Sequence, residues 1–335
     1  MAKHLRVLLS DTTNPWFNLA TEDWIFRELD PDTRTLFLWR NADTVVIGRH
    51  QNPWVECKVA KMDEDQIYLA RRQSGGGAVF HDLGNTNFTF LSSADSYSQD
   101  ENFAIIVNAL ARFGIEAERS GRNDVLVEGR KVSGSAFKHT KERSFHHGTL
   151  LINADLGRLQ DYLNPSTKKL VSKGIKSVRS RVANLTEFAP DLDHDTMAGA
   201  VMESFFEFYG ARCEPEYLDA ESLRAIPSLQ DYYTQMADWD WRFGRTPEFT
   251  HHLEQRFDWG SIDLHLDVDR GLVKECRIFS DALDPDMIDT LQATFPGYRY
   301  TAQALEEAVD IVRGKHPQRE AELDELVEWM GTAIG

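Results

Sequence analysis

The run Arg71-Arg72-Gln73-Ser74-Gly75-Gly76-Gly77-Ala78-Val79-Phe80-His81-Asp82 constrains this chain more than any other segment. Its three glycines stand between two strand-like stretches. Ile67 to Arg71 lies before them, and Asn85 to Leu91, where Phe88 and Phe90 alternate with polar residues, lies after. A hairpin needs fewer residues than this. Three glycines instead let the main chain pass close to a neighbour with its N–H groups exposed. The spacing fits neither common phosphate loop, because there is no G-x-x-x-x-G-K-[ST] and no G-x-G-x-x-G opening a helix. A triple glycine taken alone is as often a plain loop as a binding loop. Arg71, Arg72 and His81 around it favour an anionic ligand.

Periodicity supplies the surrounding elements. Leu5 to Leu9 reads as a strand, and Pro15 to Leu29 as an amphipathic helix capped by Asn14. Thr35 to Trp39 and Thr44 to Gly48 are short strands joined by the turn-like Arg40-Asn41-Ala42-Asp43. Val59 to Asp65 reads as a short helix, and Glu101 to Phe113 as a longer one stopped near Gly114. Val125 to Val127 and Lys131 to Phe137 form a hairpin pair across Glu128-Gly129-Arg130. Phe145 to Asn153 is a strand, Leu156 to Leu163 a short helix and Asp195 to Tyr209 a helix. A composition shift near Gly244 and Pro247 marks a boundary between residues 1–246 and 247–335. Beyond it Ile262, Leu264, Leu266 and Val268 alternate with Asp263, His265 and Asp267, and Gly271 turns the chain into Leu272 to Phe279. Asp286 to Phe295, Ala302 to Val312 and Glu320 to Met330 read as helices, so the tail is a small α+β unit.

Charge narrows the function. The 335 residues carry a net charge of −17, which argues against a nucleic-acid partner. From Arg119 to Arg181, however, 14 Lys/Arg face 5 Asp/Glu, while from Pro247 onward 8 face 19. The basic island suits a bound anion or an acidic partner, although a solvated basic loop has the same composition. No apolar run approaches the ~20 residues of a membrane span, and the opening segment does not read as a signal peptide. Cys57, Cys213 and Cys276 are too scattered for a disulfide frame or a zinc knuckle and fit reduced thiols in a cytoplasmic protein.

Three further motifs bear on chemistry. Lys131 opens a strand of small residues, Val132-Ser133-Gly134-Ser135-Ala136, which leaves room for a substrate beside its ammonium; a plain surface lysine is the alternative. Upstream, Gly121-Arg122-Asn123-Asp124 offers a carboxylate for magnesium or merely a turn. His146 and His147 point to opposite faces of a strand, so they do not chelate one ion, and at most one faces a pocket. The stretch from Ser166 to Arg181 reads as a loop whose cations close over phosphate, or as a solvated linker. No G-x-S-x-G elbow supports nucleophilic catalysis.

Taken in order, these motifs resemble those of the bacterial lipoate–protein ligases. The resemblance rests on Arg71 to Asn85, Gly121 to Asp124, Arg130 to Ala136, His146 to Leu150 and Ser177 to Val182, and it runs essentially the full length. It implies a large α+β catalytic domain of the biotin/lipoate ligase type, a mixed sheet flanked by helices, with a small α+β accessory domain at the C-terminus. It also implies two half-reactions. Lipoate and Mg·ATP give lipoyl-adenylate, and the lipoyl group then passes to a lysine of an acceptor lipoyl domain. Acceptors in the family are 2-oxoacid dehydrogenase subunits and the glycine-cleavage H protein.

Carried onto this chain, the family's ATP and adenylate contacts fall on Arg72, Gly77, Ala78, Val79, Phe80, Asn123, Asp124, Lys131, Ser177, Val178 and Arg179. Its lipoate contacts fall on Trp39, Arg72, Ser74, Gly75, Gly76, His81, Lys131 and His147. Lys131 is the implied catalytic residue and Asp124 the implied magnesium ligand. The expectation is a cytoplasmic monomer that salvages lipoate, with ATP, Mg2+ and lipoate as substrates and no tightly bound cofactor, nucleic acid or membrane partner. Two alternatives stay open. An octanoyl- or lipoyl-transferase of the same superfamily uses a cysteine and no ATP, yet the three cysteines lie outside the matching blocks. A silent lipoate-binding protein would keep the fold without turnover. A biotin ligase lacks support, because its Gly-Arg-Gly-Arg block is replaced here by Arg-Gln-Ser-Gly-Gly-Gly.

Overall fold

The structure is a computed structural model that describes residues 4–28, 30–164, 182–243, 251–269 and 271–334. The boundary expected at 246/247 and the whole basic stretch from Ser166 to Arg181, and with it Ser177, Val178 and Arg179, lie outside the described residues. Two compact units form. One comprises Met1–Ile47, Pro53–Arg72 and Ala78–Arg242, and the other Gly48–Asn52, Gln73–Gly77 and Phe243–Gly335.

The first unit contains β1 (His4–Ser10), β2 (Thr33–Trp39), β3 (Thr44–Ile47), β4 (Tyr68–Arg71), β5 (Val79–His81), β6 (Asn85–Ser93), β7 (Ala117–Ser120), β8 (Asp124–Val127), β9 (Arg130–His139), β10 (Arg143–Leu151) and β11 (Glu216–Leu218). An eight-stranded mixed sheet runs β11-β1-β2-β6-β10-β9-β8-β7, with β1 parallel to β2 and β11 and the other pairs antiparallel. The β8–β9 hairpin turns on Glu128 and Gly129, both at positive φ (51° and 73°), as a tight two-residue turn requires.

Both segments flanking Arg40-Asn41-Ala42-Asp43 are strands, as the sequence reading expects. They do not share a sheet, because β2 joins the large one while β3 joins a separate sheet ordered β4-β3-β5. The connection dives inward: Asn41 is fully buried and its side chain accepts from Asn18 Nδ2 at 3.0 Å. With its ends separated, β3 pairs parallel to β4 instead.

Strand alternation divides the side chains between two cores. On one face Val7, Leu36, Leu38, Phe88, Phe90 and Leu150 pack under the helices Gln99–Ala111 and His194–Tyr209. Those helices start on side-chain caps, Ser98 accepting from Glu101 N and Asp193 from Thr196 N, and the second ends at Gly210 in the left-handed region. On the other face Leu8, Phe37, Trp39, Leu91 and Phe145 pack under Pro15–Glu28 and Pro227–Ala237. The Asn14 side chain accepts from Trp16 N and Phe17 N, which fixes the first of these helices where the sequence places it.

His146 is buried in the first core, with ring centroids 4.7 Å from Phe137, 4.8 Å from Phe103 and 5.4 Å from Phe88. Neither ring nitrogen has a hydrogen-bond partner among the described residues. Burial, reinforced by the nearby charge of His147, pushes its pKa well below the ordinary histidine value. Above about pH 6.5 folded and unfolded chains both hold this ring neutral. Below that, the unfolded chain takes a proton the folded one refuses, so stability falls with pH by about 1.4 kcal/mol per unit per ring. We expect His146→Phe to keep or raise the urea midpoint at pH 8 and to flatten its decline between pH 6.5 and 5. An unchanged slope would contradict the assignment.

The second unit is built on β12 (His251–Phe257), β13 (Gly260–Asp269) and β14 (Leu272–Ser280), an antiparallel meander. Ile262, Leu264 and Leu266 face inward, as their alternation requires, onto the helices Pro285–Thr294, Ala302–Lys315 and Glu320–Ile334. The strand β12 escapes the sequence reading because its exposure alternates without a clear apolar run.

Two loops from the N-terminal half belong to this unit, and they revise the picture of the triple glycine. Gly75 runs so close to Ala282 that an added Cβ would lie 2.0 Å from that carbonyl oxygen. Gly76, at φ 91°, donates its N–H to the same oxygen at 3.0 Å. The close neighbour that demands glycine at 75 is therefore protein backbone. At Gly77 an added Cβ would meet nothing within 4 Å. Arg49 tethers the loop by donating its backbone N–H to Ser74 O (2.9 Å) and its guanidinium to Gln73 Oε1 (2.8 Å).

No helix among the described residues is long and apolar enough to cross a membrane.

Candidate active site

Lys131 sits near the start of β9, where a register shift between Val125 and Leu126 of β8 disturbs the ladder. Its side chain folds back over Gly134, so that a Cβ at 134 would lie 2.9 Å from both Cε and Nζ. The small residues after Lys131 thus serve the lysine itself. The ammonium rests 2.7 Å from Asp124 Oδ1, and both side chains are about one-third exposed (34% and 32%), open to further charged groups. Asn123 is fixed next to it, accepting from Ser135 N through its backbone oxygen (2.8 Å) and donating its Nδ2 to Ser135 O (3.2 Å). The Ser133 and Ser135 hydroxyls are buried with no partner among the described residues, an unmet demand of the kind a ligand answers.

The register carries the description along the sheet. Gly134 lies opposite Thr149, whose hydroxyl accepts from Gly134 N at 3.3 Å, and Ala136 lies opposite His147. Residues 134 and 136 share a face, so the Lys131 ammonium and the His147 ring lie on one side of the sheet, a strand repeat apart. His147 Nδ1 meets Glu22 Oε2 at 2.8 Å, the Thr89 hydroxyl donates to that oxygen at 2.7 Å, and Trp39 Nε1 donates to Thr89 at 3.1 Å. All four side chains are buried. This chain of hydrogen bonds fixes the orientation of the Trp39 indole and the His147 ring.

His81 stands beside it, 6.2 Å from Trp39 between ring centroids. Burial, then the charges of Arg72 and His147, lower its pKa to about 3, so the ring is neutral. Asn41 Nδ2 lies 3.2 Å from Nδ1. If the amide donates there, the proton sits on Nε2, which has no partner among the described residues. Arg72 is buried and donates to Val46 O at 3.1 Å; burial lowers its pKa to about 10, still charged at neutral pH.

The site residues implied by the resemblance therefore fall into separate groups. Trp39, Arg72, His81 and His147 come together, and Lys131 with Asn123 and Asp124 follows along the same face. Val79 and Phe80 lie on β5, with the Phe80 ring stacked on Tyr162 at 5.7 Å and under Arg158 at 4.9 Å. Ala78 precedes them at intermediate exposure. Ser74, Gly75, Gly76 and Gly77 belong to the second unit. The sequence reading missed Glu22 and Thr89. Glu22 had a legible signal, a carboxylate among the apolar positions Leu19, Ala20, Trp24 and Phe26 of an amphipathic helix. Thr89 had none.

Comparison with known proteins decides the family. Residues 14–206 match the lipoyl protein ligase A/B catalytic domain, and residues 246–330 match the bacterial lipoate protein ligase C-terminus. A lipoate-protein ligase A of Psychrobacter cryohalolentis is 59% identical over 97% of this chain and 98% of its own. The chain belongs to the lipoate–protein ligase family. As such a ligase it shares its fold with P. falciparum LipL1, solved in complex with lipoate, at 34% identity and a TM-score of 0.86 over 98% of this chain and 99% of that one. A lipoate-protein ligase A bound with ATP aligns at 27% identity and TM-score 0.62 over 72% and 99%. The bi-partite ligase from Thermoplasma acidophilum, described with its E2 lipoyl domain, aligns at 29% identity and 0.64 over 75% and 100%. The mixed sheet flanked by helices and the C-terminal α+β unit of this ligase agree with the fold the resemblance implied.

Proposed function

We propose that this ligase condenses lipoate with ATP to lipoyl-adenylate and pyrophosphate, then passes the lipoyl group to the lysine of an acceptor lipoyl domain, releasing AMP. The observation that carries the reading is Lys131, folded over Gly134 onto the sheet face that holds the hydrogen-bonded Trp39 and His147. In the first step a lipoate carboxylate oxygen attacks the α-phosphorus and the bond to pyrophosphate breaks. The two reactants are both anions, and an ammonium that touches both oxygens screens their repulsion and holds the added charge of the transition state. In the second step the acceptor amine attacks the acyl carbon, loses a proton, and the acyl–phosphate bond breaks.

Arg72, with Gly77, Ala78, Val79, Phe80 and Asn123, serves the nucleotide, and Ser177, Val178 and Arg179 are assigned to the same ligand. Trp39, His147 and His81, with Arg72, Ser74, Gly75 and Gly76, serve lipoate. The carboxylate of Asp124, a hard oxygen donor beside Lys131, fits the magnesium of the ATP complex, which takes one or two carboxylates with phosphate oxygens. The acceptors are lipoyl domains of 2-oxoacid dehydrogenase complexes and the glycine-cleavage H protein, and the role is lipoate salvage by a cytoplasmic monomer. The pairing of the archaeal relative with an E2 lipoyl domain supports the acceptor class.

The test is ATP–pyrophosphate exchange with magnesium. Exchange that requires lipoate supports the adenylating step. Its absence in folded protein removes that step and favours acyl transfer from a carrier. The cysteines weigh against transfer through a thiol. Burial pushes Cys57 up to about 12 and raises Cys276 further, and Cys213 is raised as well, so none is poised as a thiolate. Cys57→Ser, Cys213→Ser and Cys276→Ser should each keep lipoyl transfer within about twofold, near-neutral like changes outside an active site. Loss of transfer in one folded variant would restore the transferase reading.

A further inference from the structure

The second unit carries a group that the catalytic reading does not use. Antiparallel pairing of β12 with β13 sets His252 directly opposite His265, and Asp263, two residues before His265, shares their face. That face is turned away from the helices, since Ile262, Leu264 and Leu266 alternate inward. Both imidazoles aim Nε2 at one carboxylate oxygen, Asp263 Oδ1, at 2.5 Å from His252 and 2.8 Å from His265. The rings stack at 4.4 Å with 19° between their planes. We propose that His252, Asp263 and His265 bind a single divalent transition-metal ion, zinc in the first instance, on this face of the C-terminal sheet.

The donor set is the first argument. Two imidazole nitrogens and a carboxylate oxygen are a three-protein-ligand zinc set, with a fourth position left to water. Distance is the second. The three donor atoms lie within 4.8 Å of one another, and a tetrahedral zinc with bonds of 2.0–2.2 Å needs its ligand atoms about 3.3 Å apart. Rotation of the exposed His252 side chain (56% exposed) supplies the difference.

Neighbouring charge is mixed. Arg277 lies opposite His265, with its guanidinium over the Phe279 ring at 5.6 Å, while Glu254 lies opposite Asp263. The stretch from Pro247 onward, with 8 basic against 19 acidic residues, favours a cation overall. Because β12, among the described residues, is an edge strand bonded to β13 alone, an ion held by His252 on β12 and by Asp263 and His265 on β13 clasps that edge. Its effect is structural, and it stands apart from the adenylation chemistry.

The experiment uses the full chain, stripped with a chelator and lacking lipoate, in a Cys213→Ser background so that the half-exposed thiol takes no metal. Zinc chloride is titrated in competition with a chromogenic chelator, and thermal unfolding is followed with and without zinc. One equivalent should bind and raise Tm. His252→Ala, on the exposed edge, should weaken binding at least tenfold and abolish the Tm rise, and Asp263→Asn should do the same. The metal-free Tm of each variant reports whether it is folded, and His252→Gln repeats the test with less loss of packing. Absence of bound zinc, or equal affinity in the folded variants, overturns the proposal.

Discussion

Lys131→Ala should leave the fold intact and lower lipoate-dependent ATP–pyrophosphate exchange by two or more orders of magnitude. Structurally the cost is small. The ammonium is one-third exposed, and its ion pair with Asp124 is of the partly solvated kind that contributes about 0–1 kcal/mol. Chemically the cost is large, because removing one preorganised donor from developing oxyanion charge is worth about 2.7–4 kcal/mol. Exchange measured at saturating lipoate and ATP separates lost chemistry from lost binding, and a variant with near-normal exchange would remove Lys131 from the reaction. Asp124 will be left without its cation in this variant, so circular dichroism and the urea midpoint should accompany the rates.

Gly134→Ala tests the same lysine without touching it. The new methyl carbon would fall 2.9 Å from Lys131 Cε and Nζ, inside normal contact distance. The obstructing atoms are the end of a flexible side chain rather than backbone, and Gly134 has no positive φ that an L-residue would resist. The strand therefore accepts alanine, while the ammonium must move off the position it shares with the His147 face. A displacement on the order of 1 Å in a reacting group costs up to about a hundredfold. We expect exchange reduced ten- to a hundredfold with an unchanged unfolding midpoint. Unaltered exchange in a folded variant would mean that the lysine reaches its substrates from another position. Loss of stability with proportionate loss of activity would assign glycine 134 to packing instead.

The two variants differ in what they say about legibility. Lys131 stands out in the sequence because a long cation followed by Val132-Ser133-Gly134-Ser135-Ala136 is unusual in a strand. That the side chain curls back over Gly134, and does not project into the space beside the small residues, follows from the disturbed β8–β9 register. His146 and His147 were separable in advance, since neighbours on a strand must face opposite ways. Which of them met Phe103 and Phe137 and which met Glu22 depended on which helix covered each face.

The sequence by itself determined several local elements: the helix begun at Asn14-Pro15, the hairpin at Glu128-Gly129, the alternating strand at 260–269 and the order of the ligase motifs. These are set by interactions between residues a few positions apart, so periodicity and turn chemistry record them. Only the tertiary structure decided the partners. It joined β3 to β4 instead of β2, set Gly75 and Gly76 against Ala282, linked Glu22 to Thr89 and His147, and brought His252 to Asp263 and His265. The first three span residues far apart in the chain, and the last crosses a hairpin, with His252 and Asp263 11 positions apart; sheet pairing and helix packing create them through burial rather than through any local pattern.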